Sequence, residues 1–151
     1  MAHFAKIGLD NVVLAVVVVN NADTATDGGL ERESIGVAHL AANNQHQTWK
    51  QCSYNTREGQ HILGGTALRA NMPAKGWYYD STNDIFYPPR PTDKDGDSCA
   101  SWTLNTTTGV WGAPLTEPTR TTAEINAMKY YVWDESAYQA NNSQGWVLIT
   151  P

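Results

Sequence analysis

Three aspartates alternate in TDKDGDS, Thr92–Ser98. Asp93, Asp95 and Asp97 stand at the first, third and fifth ligand positions of a calcium loop, where carboxylate oxygens would meet a hard cation. The remainder of the loop departs from that pattern. The sixth position, which needs glycine, is Ser98, and the twelfth, which needs a bidentate glutamate, is Leu104. A solvated acidic turn is the plainer reading, the three aspartates remain weak metal candidates, and no cofactor is expected.

Two cysteines, Cys52 and Cys99, invite a nucleophile reading with His61 as a partner for Cys52, but no nucleophile signature surrounds either. Carboxylates close to Cys99 would raise its pKa, which works against a thiolate. The pair can instead form a disulfide, stay as free structural thiols, or pair between chains. The histidines, His3, His39, His46 and His61, have no ligand spacing with one another or with a cysteine. His39 reads as a packed core residue. Paired carboxylates for glycoside hydrolysis would have to come from Asp80, Asp84 and Asp134, each in a segment where aspartate is expected to start a turn. No GxSxG, HExxH, P-loop or GxGxxG occurs, and an enzyme is not expected.

The aromatic residues form the other constellation. Trp77, Tyr78, Tyr79, Trp102, Trp111, Trp133 and Trp146 crowd the second half of the chain. Such rings fill a core, anchor a protein interface or stack on sugars. The sequence leaves these three uses open.

The elements that must position these groups are read from composition and period. The chain has 151 residues, 41% hydrophobic and 17% charged, with a net charge of -5. This bounds one domain's worth of core and gives no basic face for nucleic acid. The most apolar run, Val12–Val19, is too short to cross a bilayer and lacks signal-peptide flanks. Residues 1–76 hold six bases and six acids, whereas residues 77–151 hold four bases, nine acids and twelve of the fifteen aromatics. The chain therefore divides near Gly76 into an N-terminal hairpin-plus-helix region and an aromatic hairpin region, expected to pack as one compact unit.

The fold class expected is mainly β, with antiparallel hairpins and one short α-helix. Ala2–Ile7 alternates, GLDN turns, and the continuous run Val12–Val19 suits a strand covered on both faces. Leu30–Ala42 reads as the helix, capped by Thr26 or Asp27, with Ile35, Ala38, His39 and Ala42 inward. Trp49–Tyr54 reads as a short strand and Arg57–Lys75 mostly as loop. A loose pattern then recurs at Trp77–Pro91, Trp102–Pro118 and Tyr130–Pro151: aromatics, Asp or Asn, a polar turn, aromatics, proline. Each copy reads as a hairpin whose turn is started by Asp80, Asn105 or Asp134 and whose second strand is ended by proline.

The segments MAHFAKI, NVVLAVVVVNN, WKQCSYN, GWYYDSTNDIFYPPRP and SWTLNTTTGVWGAPL resemble short proteins of tailed bacteriophages, many of them marine or cyanobacterial, described mostly as hypothetical or virion-associated. The resemblance spans about two-thirds of the chain. The usual member passes from the tyrosine-rich strand through PPxP almost directly into the Trp strand. Here TDKDGDSCA intervenes, and Met128–Pro151 extends the end. The resemblance carries no catalytic residues. It implies a particle component located in the virion, assembled in the host cytoplasm, present in many copies and bound to other phage structural proteins. Head decoration or cement is the favoured expectation, with a tail, baseplate or fibre-attachment component next. Host-glycan binding through the aromatics is the alternative of a different class, and a glycan hydrolase comes last.

Overall fold

The computed structural model describes residues 1–46 and 48–151. The chain forms two compact units, one of Met1–Pro89 with Asn105–Val110, the other of Arg90–Leu104 with Trp111–Pro151. The division expected at Gly76 therefore falls after Pro89 instead. As expected, the protein is mainly β, built from antiparallel hairpins, and among the described residues only one helix exceeds six residues.

The first unit is organised by a three-stranded antiparallel sheet in the order β2-β1-β3, with β1 at Ala2–Ile7, β2 at Val13–Val19 and β3 at Trp49–Cys52. Strand alternation sends successive side chains to opposite faces. On one face Ala2, Phe4, Val19 and Trp49 pack with Leu40, flanked by Val17 and Val37. On the other, Ala5, Ile7, Val13 and Cys52 pack with Tyr79 and Phe86, flanked by Val16, Met72 and Trp77. The Val12–Val19 run is apolar throughout because it feeds both cores. It is nevertheless an edge strand, and the expectation of cover on both faces fails at Leu14 and Val18, which are 43% and 54% exposed.

Helix α1 spans Glu33–Asn44 and begins three residues later than its sequence suggests. Residues 30–32 are held extended, since Glu31 bridges Ala25 and the Arg32 amide donates to Thr24 O. Neither Thr26 nor Asp27 caps the helix; Thr26 Oγ1 accepts from the Leu30 amide and closes the preceding loop. The inward face is Gly36, Val37 and Leu40, not Ile35, Ala38, His39 and Ala42. The shift has a steric cause. A Cβ at Gly36 would lie 2.3 Å from Phe4 Cζ, so the bare glycine backbone seats the ring of the central strand. His39 is not core: it stands 40% exposed, 3.8 Å from Asp23.

Short strands β4 (Thr56–Arg57) and β5 (Gln60–His61) interrupt the expected loop. The first aromatic hairpin, β6 (Tyr78–Asp80) with β7 (Ile85–Tyr87), belongs to this unit, because Val13 N donates to Trp77 O and Gly76 N to Val13 O. Its turn is built as expected: Asp80 Oδ1 accepts from the Thr82 and Asn83 amides at 2.8 and 3.1 Å. The strand stops one residue before Pro88, which has no N–H for the ladder.

The second hairpin pairs β8 (Thr103–Asn105) with β9 (Val110–Gly112). Asn105 Oδ1 accepts from the Thr107 and Thr108 amides at 2.9 and 3.0 Å, the same device as at Asp80. The third copy differs. Strands β10 (Tyr130–Trp133) and β11 (Trp146–Ile149) do pair, but α3 (Glu135–Ala140) fills the connection. Asp134 therefore caps a helix, accepting from Ala137 N at 2.8 Å, and does not start a tight turn. A second unexpected helix, α2 (Thr122–Asn126), opens with a capping box in which Thr121 and Glu124 each accept from the other's amide.

Candidate interaction site

The aspartate loop is a self-contained turn. Asp93 Oδ1 accepts from the Asp95 and Asp97 amides at 2.9 and 3.0 Å, and Oδ2 accepts from the Glu135 amide at 3.0 Å. Burial pushes the Asp93 pKa up, but these three amides hold it below the ordinary carboxylate range. Asp95 is paired with Lys94 at 2.6 Å. With Asp93 turned inward, the alternating carboxylates do not converge. Among the described residues no group of three or more His, Cys, Asp or Glu is arranged to hold a metal.

Cys52 and Cys99 are free, buried thiols, not a disulfide. Burial pushes the Cys52 pKa to about 12, with Arg69 only partly opposing it, so the thiol stays protonated at neutral pH. The Cys99 pKa is also raised, first by burial and then by Asp93 and Glu135. His61, considered as a base for Cys52, uses Nδ1 to accept from the Leu63 and Gly65 amides at 3.3 and 3.0 Å. Both residues line a polar cleft of about 510 Å³ with His3, Glu31, Tyr54 and Asn55.

The carboxylates considered for hydrolysis are likewise engaged. Asp84 accepts from Arg69 Nε at 2.7 Å and from the Tyr79 hydroxyl at 2.6 Å. Arg69 is the centre of the first unit's polar core, with its side chain 10% exposed. It also donates to Gln51 O at 2.8 Å and to Glu33 Oε2 at 3.0 Å, while Glu33 Oε1 accepts from the Gln51 amide at 2.8 Å. Glu33 and Arg69 thus occupy the outward amide and carbonyl of β3, standing where another strand would bond. This cluster escaped sequence reasoning, since Arg69 lies in a Gly- and Ala-rich stretch without period and Arg69 and Ala70 both take left-handed backbone conformations.

The seven aromatics are core and its margins. Tyr79 is buried against Phe86, and Trp77 flanks the same cluster. Tyr78 stacks on Tyr87 at 5.6 Å between ring centres. In the second unit Trp133, 3% exposed, sits edge-on to Trp146 at 5.2 Å and to Trp102 at 6.0 Å, with Tyr138 at 5.3 Å. Short hairpins supply few aliphatic side chains, and large rings fill the volume, each such pair adding about 0.5–1.5 kcal/mol beyond its buried area. Trp111, half-buried, carries the Arg90 guanidinium 4.4 Å above its ring. Buried Glu135 supports the cluster, accepting from Trp133 Nε1 at 2.9 Å, from the Ser101 hydroxyl at 2.8 Å and from Gln139 at 2.8 Å. Burial raises its pKa, yet these bonds leave it below the ordinary range.

The large apolar side chains on the surface are mostly aliphatic, with Tyr54 and Tyr130 the exposed rings among the described residues. Leu9, Leu30, Ile62, Leu63 and Met128 are each more than half exposed. Ile62 and Val110 line a groove of about 610 Å³ with Arg57, Glu58, Gln60 and Thr108. Neither β5 nor the loop after it was singled out as an interaction element, because an isolated Ile-Leu pair carries no periodic signal. The chain matches no known protein family, no curated protein and no solved structure.

Proposed function

We propose that this chain is a structural subunit that acts by binding other protein subunits, as a component of a bacteriophage particle. Head decoration or cement is the favoured position, and a tail, baseplate or fibre-attachment role comes next. The observation that carries the binding reading is the sorting of side chains: every tryptophan is buried or half-buried, while aliphatic residues such as Ile62 and Leu63 are displayed, at 64% and 74% exposure. Aliphatic surface suits a protein partner, whereas sugar recognition needs open aromatic faces. The particle assignment rests on the resemblance of the hairpin segments to phage proteins.

The test is reconstitution. Particles lacking the chain are mixed with the wild-type protein or with Ile62→Asp/Leu63→Asp, and bound protein is located by imaging. The variant is expected to melt as the wild type does and to bind particles at least tenfold more weakly. Equal binding, or no binding of the wild type to any particle, would overturn the proposal. A host-glycan reading has one supporting observation, the Tyr54 ring, 66% exposed at the rim of the polar cleft. Loss of polysaccharide binding in Tyr54→Ala would favour it.

A further inference from the structure

The two edges of the first unit's sheet are treated differently. An edge strand presents unpaired amides and carbonyls, and proteins usually protect them with charge, proline, a bulge or a covering segment. On β3 the amide and carbonyl of Gln51 are taken by Glu33 and Arg69. On β2 the protection stops early. Trp77 and Gly76 bond Val13, and Tyr78 bridges Val12. Among the described residues, nothing bonds the outer edge of residues 15–19 (Ala-Val-Val-Val-Val). That stretch has no charge, no proline and no glycine.

We propose that β2 pairs antiparallel with β2 of a second copy of this chain, centred on Val17, to join two three-stranded sheets into one of six. Three observations select this occupant. First, the open stretch is self-complementary: about Val17 it sets Ala15 against Val19, Val16 against Val18 and Val17 against itself. Every cross-strand pair is then aliphatic, and each joins residues on the same face of the sheet. Second, the bonds from Trp77 and Gly76 to Val13 end the site on one side, so a register slipped toward Val13 would drive the partner strand into a position already taken. Third, β3 is plugged at Gln51, which leaves β2 as the edge with an uninterrupted open run. A single self-complementary edge closes as a two-fold dimer, whereas two open edges would propagate a fibre. Exposed Val18 would gain a neighbour in Val16 of the second copy. The proposal concerns self-association and stands whether or not the particle assignment holds.

The experiment uses the full chain and cysteine substitutions at Val17 and Leu14. In the centred register Val17 opposes itself, at a Cα separation of about 4.5–5.5 Å that a disulfide can bridge. Leu14, exposed and outside the open stretch, would oppose Asn20. Under mild oxidation Val17→Cys is expected to give a disulfide-linked dimer and Leu14→Cys is not. The native cysteines are both buried. A second variant, Val18→Lys, changes a side chain already in solvent. It is expected to leave the melting temperature of the dilute monomer unchanged and to weaken dimerisation at least tenfold in sedimentation equilibrium. A wild-type chain that is monomeric at about 1 mM would overturn the proposal. So would equal crosslinking at positions 14 and 17, or a Val18→Lys dimer of unchanged affinity. A monomer whose β2 amides become protected only on adding another phage subunit would assign the edge to a foreign strand instead.

Discussion

The tryptophan cluster of the second unit contains a matched pair of indole N–H groups with opposite fates. Trp133 Nε1 donates to Glu135 Oε2 at 2.9 Å, whereas Trp102 Nε1 is buried without an acceptor among the described residues. Replacing either with phenylalanine removes a similar amount of ring, at a cost of about 1–2 kcal/mol from lost burial and the space left behind. The N–H term then separates them. Removing a buried donor that has no partner returns about 1–3 kcal/mol, and removing a hydrogen bond to a charged acceptor costs about 1.5–3 kcal/mol. Trp102→Phe should therefore be near neutral, within about 1 kcal/mol, while Trp133→Phe should lose about 3–4 kcal/mol. Urea unfolding followed by far-ultraviolet circular dichroism measures both without relying on the altered fluorophore. If the two variants are destabilised equally, to within about 0.5 kcal/mol, the reasoning about the unpartnered indole is refuted.

Glu135, Asp84, Asp93 and Asp80 all titrate below the ordinary carboxylate range in the folded state. Their contribution is present above about pH 4 and is lost as pH falls through their lowered pKa values. The melting temperature should be flat from neutral to about pH 5 and drop below about pH 4; a fall starting near pH 6–7 would point to histidines instead. Gly36→Ala should cost about 1–2 kcal/mol, because overpacking against Phe4 outweighs the gain in helix propensity. Pairing it with Phe4→Leu should recover part of that loss in a double-mutant cycle of thermal melts. Both thiols should resist an aromatic disulfide reagent in the native protein and react on unfolding, and rapid native reaction of Cys52 would contradict its burial.

Features set by neighbouring residues were legible. The β1–β2 hairpin, the Asp80 and Asn105 turns and the strand ends before proline each need only a few consecutive side chains. Helices α2 and α3 were missed despite the Thr121–Glu124 capping signal, because five or six residues carry too short an apolar stripe to register a period. Asp134 illustrates the ambiguity: the carboxylate that starts a turn at Asp80 starts a helix at Asp134, and the next few residues of the chain decide between the two. The boundary at Gly76 failed because charge and aromatic counts are blind to the bonds that tie Trp77 to Val13. The buried polar groups, Arg69 with Glu33 and Glu135 with Trp133, join positions far apart in sequence or set by tertiary packing. Only the folded chain brings them together.

The way the first unit is threaded has a consequence for biosynthesis. Its final segment, residues 105–110, is separated from the rest by residues 90–104, which belong to the other unit. That segment brings Gly109 so close to Asn71 and Phe86 that an added Cβ would lie 2.5 Å from Asn71 Nδ2, and the buried Asn71 amide donates to Phe86 O at 3.0 Å and to Thr108 O at 2.9 Å. A nascent chain that has emerged only as far as Pro89 therefore lacks a piece of its own first unit. Folding in strict order from the N-terminus cannot finish one unit before synthesis of the other has begun. Dissecting the protein at Pro89 should accordingly yield a fragment with an open seam at Asn71, so the chain is best expressed, folded and assembled as a whole.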